Sequence, residues 1–289
     1  MEFGCEKRLA LKNVKLSERY KNAVFSMRYI LENYNKNFPE YTDHSLLHVM
    51  DVIDIVNELA AEHLSRLSDK ELYILLMGVL VHDVGMGIPF SYYEQYTKMA
   101  VNMPQSILEN EEYGETLRKH HHRLSAGFVK RQWKMLDIPN EEYAQLISLL
   151  ALGHRGPEIH NKAWYPEVYV MKDGSKVALC YLAALVRLAD EMDVSQERVP
   201  ELLYKNQKQK NSISRMEFQK HRGICWVSYE KQYIILGVSR EAVRDGELMK
   251  SIDKLIDKLE NTALECTYIT MGKSNFQIQV CGVKKVMVG

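Results

Sequence analysis

A histidine and an aspartate stand next to each other at the end of a strongly apolar segment, LYILLMGVLVHDVGMG. His82 and Asp83 can bind one divalent cation together, because imidazole nitrogens and carboxylate oxygens are both common metal ligands. A two-residue pair also recurs by chance in a chain of 289 residues. The metal interpretation therefore depends on whether other histidines and aspartates lie on inward faces of helices.

The segment YTDHSLLHVMDVIDIVNEL contains the first such histidine. His48 shares a helical stripe with Val52, Ile55 and Leu59, which follow it by four, seven and eleven residues. We therefore predict that His48 faces the core. His44 lies one turn earlier and is predicted to lie at the rim.

Three consecutive histidines follow in ETLRKHHHRLSAGF. Successive helical residues point about 100° apart, so these three side chains cannot all face one cavity. His121 is in line with Leu117 and Leu124 and is predicted to point inward. His122 borders that stripe, and His120 is predicted to face water.

Two more candidate ligands lie near the ends of apolar helices. His154 follows Ile147 and Leu150 on one stripe, next to a glycine. Asp190 continues the face of Val186 on a helix that is nearly all apolar. A buried carboxylate without a partner is costly, so Asp190 needs a cation.

Each of these residues also has an ordinary structural explanation. A lone buried histidine is more often a hydrogen-bonded core residue than a ligand, and an aspartate near a helix end can cap the helix or pair with Arg187. Together, however, the candidates lie on five helical segments, each at an inward or terminal position, which makes coincidence the weaker explanation. The predicted ligands are His48, His82, Asp83, His121, His154 and Asp190. This thiolate-free set suits one or two divalent ions of manganese, iron, zinc, nickel or magnesium and does not choose among them.

The elements that must position these residues are mostly helices. The apolar spacing is helical up to about residue 200, with helices predicted at about 115–135, 141–153 and 175–192 and an irregular stretch at 157–174. A further helix opens with a capping box at Ser68 and Glu71 and carries His82 and Asp83 in its last turn. We predict a mainly α protein, in which an all-helical domain of residues 1–204 precedes a small α+β domain of residues 205–289.

The second domain is predicted from short β-branched and aromatic runs. Strands are expected at RMEFQKH, GICWVSYE and QYIILGVS, a helix at about 241–264, and strands at ECTYIT and FQIQVCGVKKVMV. The aromatic residues Phe218, Trp226, Tyr229, Tyr233 and Phe276 are interpreted as half-buried strand residues. We expect this domain to serve dimerisation or regulation.

Composition narrows the class of protein. Lysine plus arginine and aspartate plus glutamate both number 38, so the formal net charge is zero and there is no global basic field of the kind duplex-binding proteins show. The longest apolar run, 72–81, is too short to cross a bilayer, and no signal peptide is recognised at the start. Five cysteines without a CxxC pair suit a reducing compartment. A cytoplasmic protein without membrane association is expected.

The order of these motifs resembles the HD superfamily of metal-dependent phosphohydrolases. The resemblance covers about residues 40–195 and rests on TDHSLLHV, LVHDVGMG, RKHHHRLSAGF and RLADEMDV. It implies that His48, His82, Asp83 and Asp190 bind a first metal and that His121 and His154 hold a second metal or contact phosphate. The pattern is also similar to HD modules at the N-terminus of bacterial GHKL-type, chaperone-like ATPases. That similarity implies an isolated module or a fragment attached to an ATPase domain in a longer chain. The exposed last strand of the second domain could pair with a second copy or with a downstream domain, so a homo-oligomer is also expected.

Two departures from the family pattern bear on the substrate. Many family members carry a lysine three residues after the HD aspartate, where this chain has Met86. The HHExxDGxGYP signature of cyclic-di-GMP phosphodiesterases is replaced by HHRLSAGF, so that substrate is not expected. Another positively charged side chain must then bind the phosphate. The best-placed candidate is Arg155, which follows His154 directly. The other candidates for substrate binding are Arg118, Arg123, Arg187 and His122.

The resulting hypothesis is a phosphohydrolase that acts on a nucleotide or related phosphoester through a metal-activated water. Asp83 would orient the attacking water, and His121 and His154 would stabilise charge or protonate the leaving oxygen. A metal-dependent nuclease is the first alternative, and the zero net charge counts against it. A non-catalytic module that senses a nucleotide is the second.

Overall fold

The computed structural model describes residues 4–38, 42–89, 91–92, 95, 113–199, 212–271 and 275–289. The chain is mainly α-helical, with a small α+β part at its C-terminal end, as predicted. The helices of the N-terminal part are α1 (Cys5–Lys12), α2 (Val14–Glu32), α3 (Tyr34–Asn37), α4 (Leu46–Leu59), α5 (Asp69–Val81), α6 (Tyr113–Gln132), α7 (Glu141–Gly153) and α8 (Leu179–Met192). The C-terminal part contains α9 (Ser212–Arg222), β3 (Ile224–Glu230), β4 (Tyr233–Ser239), α10 (Arg240–Arg244), α11 (Gly246–Thr270) and β5 (Gly282–Val288).

Helix α5 is the centre of the N-terminal part. Every residue from Leu72 to Val81 is buried, and the helix packs against α1, α2, α4, α7 and α8. The predicted capping box is present: Ser68 Oγ accepts from the Glu71 amide, and Glu71 Oε2 accepts from the Ser68 amide. The helix ends at Val81, so His82 and Asp83 follow directly and lead into a 3₁₀ turn at Val84–Gly87.

The same glutamate also ties α5 to α8. Glu71 is 5% exposed, and its second oxygen, Oε1, accepts a hydrogen bond from the backbone amide of Ala178 at 2.9 Å. Ala178 is the residue before α8, and its side chain provides no cap. The buried carboxylate therefore fixes the start of α8 relative to the start of α5, and each of these helices delivers metal-ligand candidates at its other end.

The three helices predicted at 115–135, 141–153 and 175–192 correspond to α6, α7 and α8. Helix α7 begins after Asn140, whose side chain accepts from the amides of Glu142 and Tyr143. The stretch predicted to be irregular contains a 3₁₀ turn at Pro157–His160 and strand β1 (Tyr169–Val170), which pairs with β2 (Lys176–Val177). Strands of two residues leave no periodic signal in the sequence.

Two strands predicted in the C-terminal part are wrong. RMEFQKH lies in helix α9, where Phe218 and His221 are buried one turn apart. ECTYIT lies in the last turns of α11, because the buried stripe of this helix continues at helical spacing through Cys266 to Thr270. Short β-branched runs resemble strands locally, and packing of the long helix against α8 decides the outcome.

The observed sheet has the order β3-β4-β5, with β3 and β4 antiparallel and β4 and β5 parallel. GICWVSYE and QYIILGVS form β3 and β4 as predicted. The last predicted strand is shorter than expected and begins only at Gly282. Phe276 is outside any strand, and its ring stacks on Tyr181 at 5.3 Å between centroids.

The C-terminal part is anchored to the helical part by α11. Lys258 on α11 pairs with Glu191 on α8 at 2.7 Å, and Arg187 on α8 pairs with Glu265 on α11 at 2.8 Å. The predicted domain boundary at 204/205 lies outside the described residues. Among the helices that the structure describes, none combines the length and apolarity needed to cross a membrane.

Candidate metal centre

Three buried side chains and the partly exposed Asp190 converge where α4, α5 and α8 meet. The candidate ligand atoms of His48, His82, Asp83 and Asp190 all lie within 4.8 Å of one another. Asp190 Oδ1 lies 3.4 Å from His48 Nε2 and 3.5 Å from His82 Nε2, and Asp83 Oδ2 lies 3.6 and 3.5 Å from the same two nitrogens. We call this set the first ligand group.

A second group shares Asp83 with the first. The other carboxylate oxygen of Asp83, Oδ1, lies 3.2 Å from His121 Nε2 and 3.5 Å from His154 Nε2. All three side chains are buried, and their candidate ligand atoms also lie within 4.8 Å of one another. We call Asp83, His121 and His154 the second ligand group, and Asp83 is the link between the two.

Hydrogen bonds at Nδ1 fix which ring nitrogen of these histidines carries the proton and which one faces the centre. The Nδ1 atoms of His82, His121 and His154 each donate to the backbone carbonyl three residues earlier, at 2.6–2.8 Å. A carbonyl oxygen can only accept, so Nδ1 must carry the proton. In the neutral ring, Nε2 then has a free lone pair directed at the centre, as metal ligation requires.

The Nε2 atoms meet in two close pairs that test this interpretation. His48 Nε2 lies 3.1 Å from His82 Nε2, and His121 Nε2 lies 3.0 Å from His154 Nε2. If both rings of a pair are neutral and protonated at Nδ1, the facing lone pairs cannot form a hydrogen bond and repel at this distance, so each pair requires a proton or a metal ion between its nitrogens. Two adjacent nitrogens bound to one ion at about 2.1 Å are separated by about 3.0 Å in octahedral and about 3.4 Å in tetrahedral geometry, so the donor set fits a divalent cation in each group.

The charge of the first ligand group also favours a cation. Burial raises the pKa of Asp83 and of Asp190, but the surrounding histidines outweigh burial and hold both pKa values well below the usual range. Burial opposes protonation of His48, yet Asp190, Asp193 and Asp83 raise its pKa well above the usual value. The group attracts positive charge, and a metal ion that binds there displaces the proton from the ring.

The second ligand group contains one carboxylate, whereas the first contains two. Burial lowers the pKa of His154 to about 4, even though Asp83 opposes the shift. At neutral pH, His154 is therefore an uncharged ring whose free nitrogen can bind a metal. Such a ring is a poor proton donor.

Sequence reasoning missed Asp193 and Arg198. Asp193 Oδ2 accepts from His48 Nδ1 at 2.6 Å, and Arg198 donates to the same oxygen at 3.3 Å. Asp193 stands three residues after Asp190 in RLADEMDV, a spacing that gave a usable signal. Arg198 lies in a 3₁₀ turn after α8, and nothing in the local pattern indicates its placement.

His44 lies beside the first group, as its predicted position at the rim implies. Its Nδ1 donates to the carbonyl of Thr42 at 2.7 Å, and its Nε2 accepts from Arg198 Nη2 at 3.2 Å. Burial and the Arg198 charge lower the pKa of His44 to about 3. Its Nε2 lies 3.9 Å from Asp83 Oδ2, so His44 closes one side of the site as a neutral ring.

A cavity of about 380 Å³ opens onto Asp83, His121 and Asp190. Arg155 and Arg118 line it, and neither forms an ion pair with any residue that the structure describes. Met86, three residues after Asp83, also lines the wall. Two guanidinium groups that have no ion pair among the described residues therefore line the same cavity as the carboxylates of the ligand groups.

The other residues predicted to bind substrate lie away from this cavity. Arg187 donates to the carbonyls of Gly153 and Gly156 and pairs with Glu265, so it supports the helix end that carries His154. Arg123 pairs with Glu158.

His122 is buried behind the second ligand group, with its ring centroid 5.9 Å from His121 and 6.2 Å from His154. Neither of its ring nitrogens has a hydrogen-bond partner in the described part of the chain. The histidine of the triplet that joins a ligand group is His121.

The family model described as HD-CE matches residues 38–259, which include both ligand groups. None of the curated proteins compared with the chain matches it.

Proposed function

Because the chain belongs to the HD-CE family, we propose that it is a metal-dependent phosphohydrolase that acts on a nucleotide or related phosphoester. The observation that carries the proposal is the shared carboxylate. Asp83 presents one oxygen to the first ligand group and the other to the second. Two cations joined by one carboxylate are typical of enzymes that hydrolyse phosphoesters by in-line attack of water.

Divalent ions in such a site supply Lewis acidity, because they lower the pKa of water and polarise a phosphoryl oxygen. The chain's own residues orient the attacking water and would hold the ions. Asp83 is held as a carboxylate and can accept a hydrogen bond from the attacking water, which orients that water. His121 and His154 serve as ligands through Nε2, and the neutral state of His154 agrees with this role better than with proton donation.

Recognition of the phosphate is assigned to Arg155 and Arg118. Both lack an ion-pair partner among the described residues and both face the cavity. A guanidinium binds two phosphate oxygens at once, which compensates for the lysine that Met86 replaces. The cavity volume of about 380 Å³ lies within the usual range for small-molecule sites and suits a nucleotide-sized ligand.

The test is phosphate release from nucleotides, cyclic nucleotides and short single strands, with manganese, iron, zinc, nickel or magnesium. We expect turnover by the wild type, none by Asp83→Ala, and a loss of roughly tenfold or more in Arg155→Ala. Arg244→Ala is the matched control, because Arg244 is exposed and does not line the cavity. It should retain wild-type activity.

Two outcomes would replace the proposal. Cleavage of strands but not of nucleotides would indicate a nuclease. Tight nucleotide binding without turnover under every metal would indicate a sensor. Attachment to an ATPase domain and homo-oligomer formation stay predictions.

A further inference from the structure

The cavity above the metal centre is built by two parts of the chain. Its floor comes from the helices that carry the ligand groups. The opposite wall comes from α9 and α11, which contribute Glu217, Lys220, His221, Ser251, Lys254, Leu255 and Lys258. This wall has no role in the proposed metal chemistry, yet it faces the same space.

The residues from α11 form one face of that helix. Ser251, Lys254, Leu255 and Lys258 are separated by three, one and three residues, the spacing that places side chains on the same side of an α-helix. Leu255 is buried and anchors this face. The two lysines therefore project from a fixed surface toward the cavity.

The lysines of this wall differ in their ion pairs. Lys220 pairs with Glu217 at 2.5 Å and Lys258 pairs with Glu191 at 2.7 Å. Lys254 forms no ion pair with any residue in the described part of the chain. One side chain of each pair is more than half exposed, Glu217 at 51% and Lys258 at 57%. Solvent screens such ion pairs, so an incoming phosphate can compete for Lys220 and Lys258.

The charge of the whole cavity indicates what it can accommodate. Among the described residues, six cationic and five acidic side chains line it. Two divalent ions would add four positive charges. A single phosphate group carries at most about two negative charges, so one phosphate leaves the cavity strongly positive.

We propose that Lys254, assisted by Lys220 and Lys258, forms a subsite for a second phosphate group. The substrate is then a nucleotide that carries at least two phosphates. One phosphate lies at the metal centre with Arg155, and the other lies against α11. This inference rests on the proposed function, because it names the substrate class of the same site.

The experiment compares adenosine and guanosine diphosphates with the corresponding monophosphates, in the full chain with saturating metal. The readout is the ratio of kcat/KM for diphosphate over monophosphate. Lys254→Ala should lower this ratio roughly tenfold, because it removes one charge-assisted contact, and Lys254→Glu should lower it further. Lys250→Ala is the matched control, since Lys250 lies on the same helix, is exposed and does not line the cavity.

Several results would overturn the inference. An unchanged ratio in Lys254→Ala, or the same change in Lys250→Ala, would exclude the subsite. Weaker binding of single strands with unchanged diphosphate selectivity would show that the lysines hold a nucleic-acid backbone instead.

If no phosphoester is hydrolysed, calorimetric binding of the same nucleotides separates the two proposals. Diphosphate selectivity that depends on Lys254 would retain the subsite while the enzyme proposal fails. Binding without such selectivity would overturn the subsite as well.

Discussion

His48 Nδ1 lies 2.6 Å from Asp193 Oδ2, in a buried hydrogen bond that joins residues 145 positions apart. The bond holds the proton on Nδ1 and turns Nε2 toward Asp83 and Asp190. Arg198 Nη1 donates to Asp193 Oδ2 and also to the backbone carbonyl of Asp193, so the orientation of His48 depends on contacts beyond the ligands themselves.

Asp193 is expected to act as a positioning residue for the first ligand group. Asp193→Ala should weaken metal binding by about 10–100-fold, the usual effect of losing such a partner. Asp193→Asn should recover part of the loss, because its amide oxygen can still accept from His48. Metal dissociation constants from chelator competition provide the measurement. Glu197→Ala, an exposed acidic neighbour, is the control. Full affinity in Asp193→Ala would contradict this role.

Asp190 is expected to be a direct ligand. Asp190→Ala should lower bound metal to at most one ion per chain, and Asp83→Ala should abolish both ions because Asp83 belongs to both groups. Elemental analysis of purified protein measures this directly, and circular dichroism verifies folding. Glu191→Ala removes a neighbouring cavity charge outside either group and should retain the metal. If both aspartate variants fold and keep full metal, the site lies elsewhere.

Of the three consecutive histidines, His121 is expected to matter most for turnover. His121→Ala removes a ligand of the second group and should reduce kcat by roughly a hundredfold or more, in line with the loss of a positioned catalytic group. His120→Ala should have little effect, because His120 belongs to neither ligand group. Equal losses in the two variants, or a dominant loss in His122→Ala, would contradict the assignment.

Gly85 is expected to be required for the close approach of the 3₁₀ turn at Val84–Gly87 to α6. A β-carbon at Gly85 would lie 2.3 Å from the carbonyl oxygen of His121 and 3.0 Å from its Cα. Gly85→Ala should therefore lower the free energy of unfolding by about 1–3 kcal/mol and disturb the second ligand group. Urea unfolding and metal content are the measurements. At Gly246 an added β-carbon meets nothing within 4 Å, so Gly246→Ala should not destabilise the protein.

His221 should make the protein less stable in acid. Burial, Arg198 and Lys220 lower its pKa to about 3 from 6.5, although Asp193 and the Val194 carbonyl oppose the shift. Between these two pH values the unfolded chain binds a proton that the folded chain does not, so stability falls as the pH decreases from about 6.5 toward 3.

The variant His221→Gln isolates this contribution. Other titrating groups are common to both proteins, so the difference between their stability profiles reports His221. In the variant, the free energy of unfolding should fall less steeply as the pH decreases, by up to about 1.4 kcal/mol per pH unit. Urea unfolding at pH 7, 6 and 5 is the measurement, and parallel profiles would contradict the expectation.

Local sequence was enough to place most ligands on helices. Helical spacing predicted the inward direction of His48 and singled out His121 among three histidines, because a helix with one apolar stripe has one inward face. The capping box at Ser68 and Glu71 predicted the start of α5, since both of its hydrogen bonds are local. The same local reasoning was wrong for ECTYIT, where packing of α11 on α8 outweighed β-propensity.

Only the tertiary structure decided which ligands form the first and the second ligand group and which other residues line the cavity. That Asp83 serves two groups depends on the packing of α4, α6, α7 and α8 around the end of α5, which no periodic pattern encodes. Arg198 and Lys254 face the cavity because segments distant in sequence fold over it. Spacing along one helix fixes which way a side chain points, and contacts between helices fix what it meets.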